Sequence, residues 1–477
     1  MDTQSDYVVV GTGSAGAVVA SRLSTDPATT VVALEAGPRD KNRFIGVPAA
    51  FSKLFRSEID WDYLTEPQPE LDGREIYWPR GKVLGGSSSM NAMMWAGAGP
   101  RWSYADVLGY FRRIENVTAA WHFVSGDDSG VTGPLHISRQ RSPRSVTAAW
   151  LAAARECGFA AARPNSPRPE GFCETVVTQR RGARFSTADA YLKPAMRRKN
   201  LRVLTGATAT RVVIDGDRAV GVEYQSDGQT RIVYARREVV LCAGAVNSPQ
   251  LLMLSGIGDR DHLAEHDIDT VYHAPEVGCN LLDHLVTVLG FDVEKDSLFA
   301  AEKPGQLISY LLRRRGMLTS NVGEAYGFVR SRPELKLPDL ELIFAPAPFY
   351  DEALVPPAGH GVVFGPILVA PQSRGQIAQA RPLRDLLGSI ARPRNSTELD
   401  EATLELALAT CSHTLYHPMG TCRMGSDEAS VVDPQLRVRG VDGLRVADAS
   451  VMPSTVRGHT HAPSVLIGEK AADLIRS

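Results

Sequence analysis

The chain has 477 residues, of which 43% are hydrophobic and 22% are charged, a balance typical of folded globular proteins. This length exceeds one ordinary core and predicts two interleaved or consecutive domains. The 52 basic and 54 acidic side chains leave a net charge of −2, which argues against a nucleic-acid-binding surface.

The N-terminus and the cysteines bear on the compartment. The opening MDTQSDYVVVG lacks the basic start and long apolar core of a signal peptide. Apolar runs such as VVLCAGAV are too short to cross a bilayer. The six cysteines include no C-x-x-C pair, which argues against a disulfide scaffold or a structural zinc site. We therefore expect a cytoplasmic protein with no transmembrane segment, while peripheral membrane contact stays open.

The first elements are predicted to be a strand, a glycine turn, a helix and a second strand that ends at Glu35. Residues 7–10 form the first apolar run, and the turn follows it. In that turn Gly11 permits a tight bend, Gly13 lets the backbone approach a pyrophosphate, and Gly16 lets helix and strand pack closely. The helix N-terminus offers free amides to phosphates, and Glu35 can accept a hydrogen bond from a ribose hydroxyl. This context favours a dinucleotide site over an ordinary βα turn, and Glu35 disfavours NADP.

Two later segments resemble strands that return to the same sheet. REVVLCAGAVNSP, at residues 237–249, is a buried strand followed by a glycine turn and a helix. GLRVADASVMP, at residues 443–453, is a strand that ends at Asp448, where a ligand's linker could bind. Together they predict a Rossmann-like domain with one long cofactor laid across distant segments. At this point both NAD and FAD remain open.

Five further segments carry a family pattern. They are RGKVLGGSSSMNAM (residues 80–93), GAVNSPQLLMLSGIG (244–258), VGCNLLDH (277–284), YHPMGTCRMG (416–425) and PSTVRGHTHAPSVLIGEKAADLI (453–475). In this order, and over the whole chain, they resemble the glucose–methanol–choline (GMC) flavoprotein oxidoreductases. The resemblance implies a bound FAD and the oxidation of an alcohol.

The resemblance extends the predicted cofactor site. Around Gly86, small residues let a loop lie flat against the pyrophosphate and the ring, and serine hydroxyls can satisfy polar atoms there. Some family members attach the flavin covalently through a histidine of this loop; Met90 stands at that position and implies non-covalent FAD. Backbone near Ala209 would pair with adenine. The whole predicted set is Gly11, Gly13, Ser14, Ala15, Gly16, Glu35, Ala36, Arg80, Gly81, Val83, Gly85, Gly86, Ser87, Asn91, Met93, Met94, Ala209, Ala243, Gly244, Asp448, Ala449, His461, Ala462 and Pro463.

The same resemblance implies how the chain is divided. A discontinuous FAD-binding domain takes residues 1–110, 183–285 and 420–477. A substrate-binding domain takes residues 111–182 and 286–419 and is built on an antiparallel sheet. In the second domain, PDLELIFAPAPF begins with the apolar–polar alternation of a half-buried strand. The expected fold class is α/β in the Rossmann-like domain and α+β overall.

The chain departs from the family pattern at two points. Segments expected beside the flavin or the substrate entrance are absent after Trp95 and after Ile377. Real deletions there would endanger a packed cavity. We therefore expect the natural chain to carry mobile loops at these points, which the mass of the intact protein would reveal.

Four histidines near the C-terminus compete for the chemistry. FAD accepts the hydride of an alcohol, so the protein must take the hydroxyl proton, and a neutral imidazole with an ordinary pKa of about 6.5 suits that task. By resemblance, His417 is the acid/base and His461 its partner, and both contact substrate. His413 and His459 are expected to support them or to be structural. A metal site is a poor rival, because no nearby carboxylate or cysteine completes a set of metal ligands.

The predicted function follows from the resemblance. It implies an FAD-dependent dehydrogenase that oxidises a small-molecule alcohol and passes electrons to an acceptor other than NAD, with the respiratory chain as a candidate. The pattern looks most like choline-dehydrogenase-like members and the actinobacterial flavoprotein associated with mycofactocin, a peptide-derived redox cofactor that it would oxidise. Glu324 borders the substrate cavity in the family and could bind a cationic or polyol substrate, although an exposed or ion-paired role is equally compatible. An oxygen-using oxidase, a cyanohydrin lyase and a non-catalytic redox protein are the alternatives.

Overall fold

The computed structural model describes residues 3–96, 104–117, 130–166, 169–348, 357–378 and 401–477. The first strands in chain order are β1 (Thr3–Val10), β2 (Val31–Glu35), β3 (Tyr63–Leu64), β4 (Tyr77–Trp78), β5 (Glu115–Val117), β6 (Leu135–Arg139), β7 (Gly171–Glu174), β8 (Val176–Val177), β9 (Gln179–Arg180), β10 (Ala183–Arg184), β11 (Leu201–Thr205) and β12 (Thr208–Asp215). The later strands are β13 (Arg218–Ser226), β14 (Gln229–Leu241), β15 (Ile257–Gly258), β16 (Tyr272–His273), β17 (Leu285–Thr287), β18 (Leu289–Asp292), β19 (Ala325–Val329), β20 (Leu340–Ala345), β21 (Gly361–Leu368), β22 (Ser412–Thr414) and β23 (Leu444–Val446).

The helices of the described residues are α1 (Gly16–Leu23), α2 (Tyr104–Ile114), α3 (Ser145–Glu156), α4 (Lys193–Ala195), α5 (Gly244–Leu254), α6 (Arg260–Glu265), α7 (Pro304–Arg313), α8 (Glu401–Cys411) and α9 (His461–Arg476). Short 3₁₀ turns, among them Pro48–Leu54, Leu298–Glu302 and Met317–Thr319, connect several of them.

The larger sheet has seven strands in the order β11-β2-β1-β14-β13-β12, with β23 beside the end of β14. Strands β11, β2, β1, β14 and β23 run parallel, whereas β12, β13 and the start of β14 form an antiparallel meander. The parallel strands therefore end at one edge, and the order of connection reverses between β1 and β14. Such a reversal opens the crevice in which doubly wound sheets bind nucleotides. The predicted Rossmann-like fold is confirmed.

The smaller sheet has six antiparallel strands in the order β19-β20-β21-β17-β22, with β18 beside β21. Strand β20 covers the segment whose alternation predicted a half-buried strand, so that prediction is also confirmed. All seven strands of the larger sheet fall in the segments assigned to the FAD-binding domain. The domain boundaries themselves stay a prediction.

The last helix is fixed against the first by a buried charge. Gly468 of α9 lies so close to α1 that an added Cβ would be 2.7 Å from the carbonyl oxygen of Ala15. Glu469 is fully buried, and its carboxylate binds the guanidinium of Arg22 at 2.7–3.0 Å and the hydroxyl of Tyr191 at 3.0 Å. A buried carboxylate needs such partners, because isolation would cost several kcal/mol. The N-terminus of α9, which carries His461, is thereby held beside the glycine turn.

The expected additional loops fall next to parts of the chain that are not described. Trp95 is buried at the end of one described segment, and residues 97–103 lie outside the described residues. Ile377 likewise precedes residues 379–400, which also lie outside them.

Candidate active site

A cavity of about 700 Å³ lies where the two sheets meet. The carboxyl edge of the larger sheet supplies one wall through the glycine turn and the starts of β12 and α5. Apolar side chains of the smaller sheet supply another wall, including Val286, Ile343 and Val363. The loop at residues 86–94 and the histidine-bearing segments near the C-terminus complete it. Its size is typical of a site for a large organic ligand.

Glycines shape the nucleotide end of this cavity. Gly11 has φ +91°, and an added Cβ would lie 2.5 Å from the carbonyl oxygen of Cys242 at the end of β14. A Cβ on Gly16 would meet the Gly11 oxygen at 2.0 Å, so helix α1 and strand β1 pack as predicted. A Cβ on Gly13 would meet only the Gly86 Cα, at 3.9 Å, so the Gly13 backbone faces open space. The two glycine-rich turns meet here and leave backbone exposed to a ligand.

Glu35 stands beside that turn and is buried. One oxygen accepts hydrogen bonds from the Thr12 amide at 3.1 Å and the Thr12 hydroxyl at 2.6 Å, and the other accepts from the Gly37 amide at 3.0 Å. Burial raises the pKa of Glu35, and these three donors oppose the rise. The backbone oxygen of Glu35 also accepts from the amide of Ala207, which places Ala209 at this end of the cavity.

Asp448 lines the cavity but already has protein partners. One carboxylate oxygen accepts from the Gly244 amide at 2.9 Å and the Ser248 hydroxyl at 2.6 Å, and the other accepts from the Ser450 amide at 2.8 Å. The carboxylate therefore joins the end of β23 to the start of α5. Its predicted contact with a ligand stays a prediction.

The loop after Gly86 leads from the nucleotide end towards the histidines. The amide oxygen of Asn91 accepts from a guanidinium nitrogen of Arg184 at 2.9 Å and from the Met93 amide at 3.0 Å. Met93 has φ +57°, a left-handed conformation that turns the chain along the cavity wall. Burial lowers the pKa of Arg184 to about 9. No sequence pattern pointed to Arg184, whose isolated position in the chain carries no motif.

His461 is placed by the glycine turn itself. Its Nδ1 is 2.9 Å from the hydroxyl oxygen of Ser14, and its Nε2 is buried with no hydrogen-bond partner among the described residues. Burial, with contributions from Arg184 and His459, lowers the pKa of His461 to about 4. The ring is therefore neutral at physiological pH, with one nitrogen left for a ligand.

His417 hydrogen-bonds to a histidine that the functional prediction did not include. Its Nδ1 lies 3.0 Å from Nδ1 of His284, so one ring must donate and the other accept. Burial, then His459, His284 and Arg80, lowers the pKa of His417 well below its ordinary value. His284 has a pKa lowered to about 4 by burial. Its place in VGCNLLDH was a signal, but the pattern alone did not show which ring it would meet.

His459 extends this cluster to a buried acid. Its ring packs against that of His417 with centroids 4.8 Å apart, and its Nε2 is 3.1 Å from a carboxylate oxygen of Glu341. Glu341 comes from β20 of the smaller sheet, so one carboxylate does lie beside these histidines, although among the described residues no group with metal-ligand spacing includes it. His413 also lines the cavity, and its Nδ1 is 2.7 Å from the backbone oxygen of Thr414.

Comparison with known proteins identifies the family. A model described as GMC oxidoreductase matches residues 5–286, and a second with the same description matches residues 372–468. The chain is 90% identical to an uncharacterized GMC-type oxidoreductase of Mycobacterium tuberculosis, covering 100% of both chains. It is 39% identical to mitochondrial choline dehydrogenase of Mus musculus, covering 98% of this chain and 89% of that one.

The chain belongs to the GMC oxidoreductase family. Among solved structures, the pyridoxine 4-oxidase of Mesorbium loti is 29% identical and superposes with a TM-score of 0.85, covering 98% of each chain. As a member of this family, the 477-residue chain is an FAD-dependent enzyme that acts on alcohol-type substrates. The family membership that the five sequence segments predicted is confirmed.

FAD fits the residues that line the cavity. The nucleotide end offers the open backbone of Gly13, and the histidine end offers Nε2 of His461, which has no hydrogen-bond partner within the described part of the chain. Met90 is buried, lines the cavity and packs in one apolar cluster with Val83, which lies behind the wall. A methionine thioether cannot form the covalent bond that a histidine nitrogen would form with the flavin. Most of the predicted set lines the cavity, namely Gly11, Gly13, Ser14, Ala15, Glu35, Ala36, Arg80, Gly81, Gly86, Ser87, Asn91, Met93, Met94, Ala209, Ala243, Gly244, Asp448, Ala449 and His461.

Five predicted cofactor residues are not part of the cavity lining, and their contact with FAD stays a prediction: Gly16, Val83, Gly85, Ala462 and Pro463. Val83 packs in an apolar cluster with Ile45 and Leu54. Gly85 has φ +91° and donates its amide to the Thr12 oxygen at 3.1 Å. Ala462 and Pro463 belong to the first turn of α9, where Ala462 is buried.

The substrate assignment of Glu324 is corrected. Glu324 is fully buried and does not line the cavity. Its carboxylate accepts from the Arg144 amide at 2.7 Å and from the hydroxyls of Thr147 and Ser320 at 2.6 Å each. These donors reach both oxygens, so Glu324 joins helix α3 to the loop before β19 and lies buried away from the cavity lining.

Two further findings bear on the chain as a whole. The alignment with the Mycobacterium tuberculosis relative spans 528 positions, whereas this chain has 477 residues, and the additional loops expected after Trp95 and Ile377 stay a prediction. None of the helices in the described residues combines the length and apolar character needed to span a membrane.

Proposed function

We propose that this GMC oxidoreductase oxidises a CH–OH group with His417 as the base, and that the electrons pass to an acceptor other than NAD. The observation that carries the proposal is the His417–His284 hydrogen bond inside the cavity wall. When Nδ1 of His417 donates to His284, Nε2 of His417 carries a lone pair. A neutral imidazole in that tautomer can accept the hydroxyl proton of a bound alcohol.

His461 has the complementary task. When the Ser14 hydroxyl donates to Nδ1, the proton of His461 resides on Nε2, the buried nitrogen that has no partner in the described residues. That N–H can donate to the substrate oxygen, which holds the alcohol and stabilises the negative charge that develops there. Bound non-covalently, FAD supplies the hydride acceptor. The protein's own contribution is thus to orient one oxygen between two neutral rings and to move one proton.

The walls near the histidines bear on the class of alcohol. Phe51, Phe55 and Val322 give this region an apolar lining, and the Phe55 ring packs edge-on against Phe51 at 5.6 Å and against Tyr416 at 5.8 Å. This lining suits an apolar alcohol. Clustered aromatic faces also attract quaternary ammonium groups, which supports a choline-type substrate as the second candidate.

A reduced peptide-derived redox cofactor is a further candidate substrate. The motif pattern resembles that of the actinobacterial mycofactocin-associated flavoprotein, and Mycobacterium tuberculosis has a relative at 90% identity. Reduced mycofactocin would bring its own alcohol-type carbon to the histidines. The respiratory chain would then be the final destination of the electrons.

The experiment is anaerobic mixing of FAD-loaded protein with benzyl alcohol, choline or reduced mycofactocin, followed by the loss of flavin absorbance. Rapid bleaching by one of them, and reoxidation by a quinone analogue faster than by oxygen or NAD⁺, is the expected result. Reoxidation by oxygen alone would make the protein an oxidase. Cleavage of a cyanohydrin without bleaching would replace the proposal with a lyase.

A further inference from the structure

Helix α7 exposes a row of large apolar side chains. Leu307, Ile308, Leu311 and Leu312 are 50%, 57%, 62% and 78% exposed. Leu307 and Leu311 are one turn apart, and so are Ile308 and Leu312, so the four side chains form one contiguous surface. Single exposed leucines are ordinary, but a contiguous patch of this kind marks a surface that another body covers.

The opposite side of α7 is fixed to the protein. Tyr310 is 2% exposed, and its hydroxyl donates to the backbone oxygen of Gly46 at 2.6 Å. The adjoining 3₁₀ turns carry Leu298 and Met317, which pack in one apolar cluster with Phe51. Because Phe51 lines the cavity, α7 lies outside the wall at the histidine end.

A cluster of positive charge follows the apolar row directly. Arg313, Arg314 and Arg315 are all exposed, and none of them forms an ion pair with another described residue. Arg314 stacks over the ring of Tyr310 at 4.6 Å, which keeps it at the end of the helix. Three adjacent arginines that have no ion pair within the described ranges are a local excess in a chain whose net charge is only −2.

The geometry points to α7 as a peripheral docking surface for an anionic lipid bilayer. An amphipathic helix with leucines on one face and arginines beside them lies in the interface between headgroups and acyl chains. The ten residues of α7 are too few to cross a bilayer, so the helix would lie in its plane. The arginines match anionic headgroups in charge.

A second copy of the chain fits this surface less well. A two-fold contact that pairs the apolar rows runs the two helices antiparallel, so each arginine cluster meets the start of the other copy's α7. The acid at that end, Glu302, already pairs with Lys53 of its own chain, so it is not free to neutralise three arginines. Lipid offers both the apolar phase and the opposite charge.

The test is flotation of the FAD-loaded full chain with vesicles of phosphatidylcholine alone or mixed with phosphatidylglycerol. We expect binding to the mixed vesicles that weakens as salt is added. Leu311→Gln/Leu312→Gln should raise the lipid concentration for half-binding by about tenfold or more. Changing Arg313, Arg314 and Arg315 to Gln should do the same, whereas changing all three to Lys should preserve binding.

A matched control comes from another helix. Leu406 and Leu408 of α8 are 62% and 50% exposed, so Leu406→Gln/Leu408→Gln makes the same chemical change elsewhere. This variant should bind vesicles as the parent does, and every variant should keep its FAD and its rate of flavin reduction in solution. Because binding is read without turnover, the result is independent of the proposed reaction.

Three results would overturn the docking surface. One is the absence of binding to mixed vesicles, and another is equal binding to vesicles of phosphatidylcholine alone. The third is a dimer in lipid-free sedimentation velocity that Leu311→Gln/Leu312→Gln abolishes, since that would assign the surface to a second copy of the chain.

Discussion

The two ends of the cavity are formed by different parts of the residues, backbone at one end and side chains at the other. At the nucleotide end the walls are backbone, because Gly11, Gly13 and Gly86 bring two turns together without side chains between them. At the other end the walls are side chains, with His284, His417 and other rings delivered by separate segments and joined by hydrogen bonds.

This difference predicts opposite responses to substitution. A site of open backbone is destroyed when a side chain is added, since the added atoms occupy the space of the ligand. A site of converging side chains is destroyed when one is removed, while the fold and the cofactor remain. Variants at the two ends should therefore separate loss of FAD from loss of chemistry.

The largest effect is expected from Gly13→Val. Only the Gly86 Cα lies within 4 Å of an added Cβ, so the protein itself can accommodate the new side chain. The valine would, however, occupy the space that the pyrophosphate needs. The variant should fold and purify without flavin, which the ratio of absorbance at flavin and protein wavelengths measures. Gly359→Val, at a glycine with nothing within 4 Å, is the control and should keep its FAD. Full flavin occupancy in Gly13→Val would show that the nucleotide lies elsewhere.

The next largest effect is expected from His417→Ala. Loss of a general base typically lowers a rate by about two to four orders of magnitude. Anaerobic single-turnover flavin reduction with the substrate isolates this step from reoxidation. FAD should remain bound, because His417 is held by His284 and lines the far end of the cavity. In the control His413→Ala, at the neighbouring histidine, the rate of flavin reduction should fall by less than about tenfold. If His417→Ala reduced its flavin at the parental rate, His417 would not be the base.

Much of the nucleotide end could be predicted from the sequence, and much of the histidine end could not. Glycine is the residue that tolerates a positive φ and a close approach of another backbone segment. The residue type alone therefore predicted the tight turns at Gly11 and Gly86. The family pattern supplied His417 and His461 in the same way.

The sequence did not show which residues far apart in the chain would hydrogen-bond to one another. Glu341 reaches His459 from β20 of the smaller sheet, and Arg184 reaches Asn91 from β10. Both contacts join residues about a hundred positions apart. Glu324 was misassigned for the same reason, because its three donors come from α3 and from its own loop, which only the fold brings together.

Glu35→Ala should have a moderate effect on FAD affinity. A charge-assisted hydrogen bond contributes roughly 1.5–3 kcal/mol, so affinity should fall by about tenfold to a hundredfold. Part of that loss would come from the turn, since Glu35 also accepts from the Thr12 hydroxyl. Thr12→Val removes that bond and leaves the carboxylate in place, and it should weaken FAD less than Glu35→Ala does. Equal effects in titrations of the apoprotein would mean that Glu35 only supports the turn.

His461→Asn should have a smaller effect than His461→Ala. An asparagine amide keeps a donor of similar reach, whereas alanine leaves both the substrate oxygen and the Ser14 hydroxyl without a partner. Single-turnover flavin reduction should fall by about tenfold or less in the asparagine variant and further in the alanine variant. If both variants matched the parent, His461 would have no part in the reaction.

The smallest effect should be that of pH on the reductive step of the parent enzyme. His417 must be neutral to accept a proton, and burial lowers its pKa well below the ordinary 6.5. The lone pair is therefore present above that lowered value and is lost only as the pH falls through it. Between pH 8 and pH 6.5 the rate of flavin reduction at saturating substrate should be nearly constant, whereas a histidine of ordinary pKa would already be half protonated at 6.5.

Stability sets the lower limit of that measurement. His284 and His461 are neutral in the folded protein, with pKa values of about 4, and they take up protons when the chain unfolds. The folded state therefore loses stability as the pH falls below the unfolded pKa of about 6.5. Flavin fluorescence should be followed at each pH, so that only points with bound FAD enter the profile. A reductive rate that halves near pH 6.5 while FAD stays bound would place the base in a hydrated setting, and the buried His417–His284 pair could not then be the site of proton transfer.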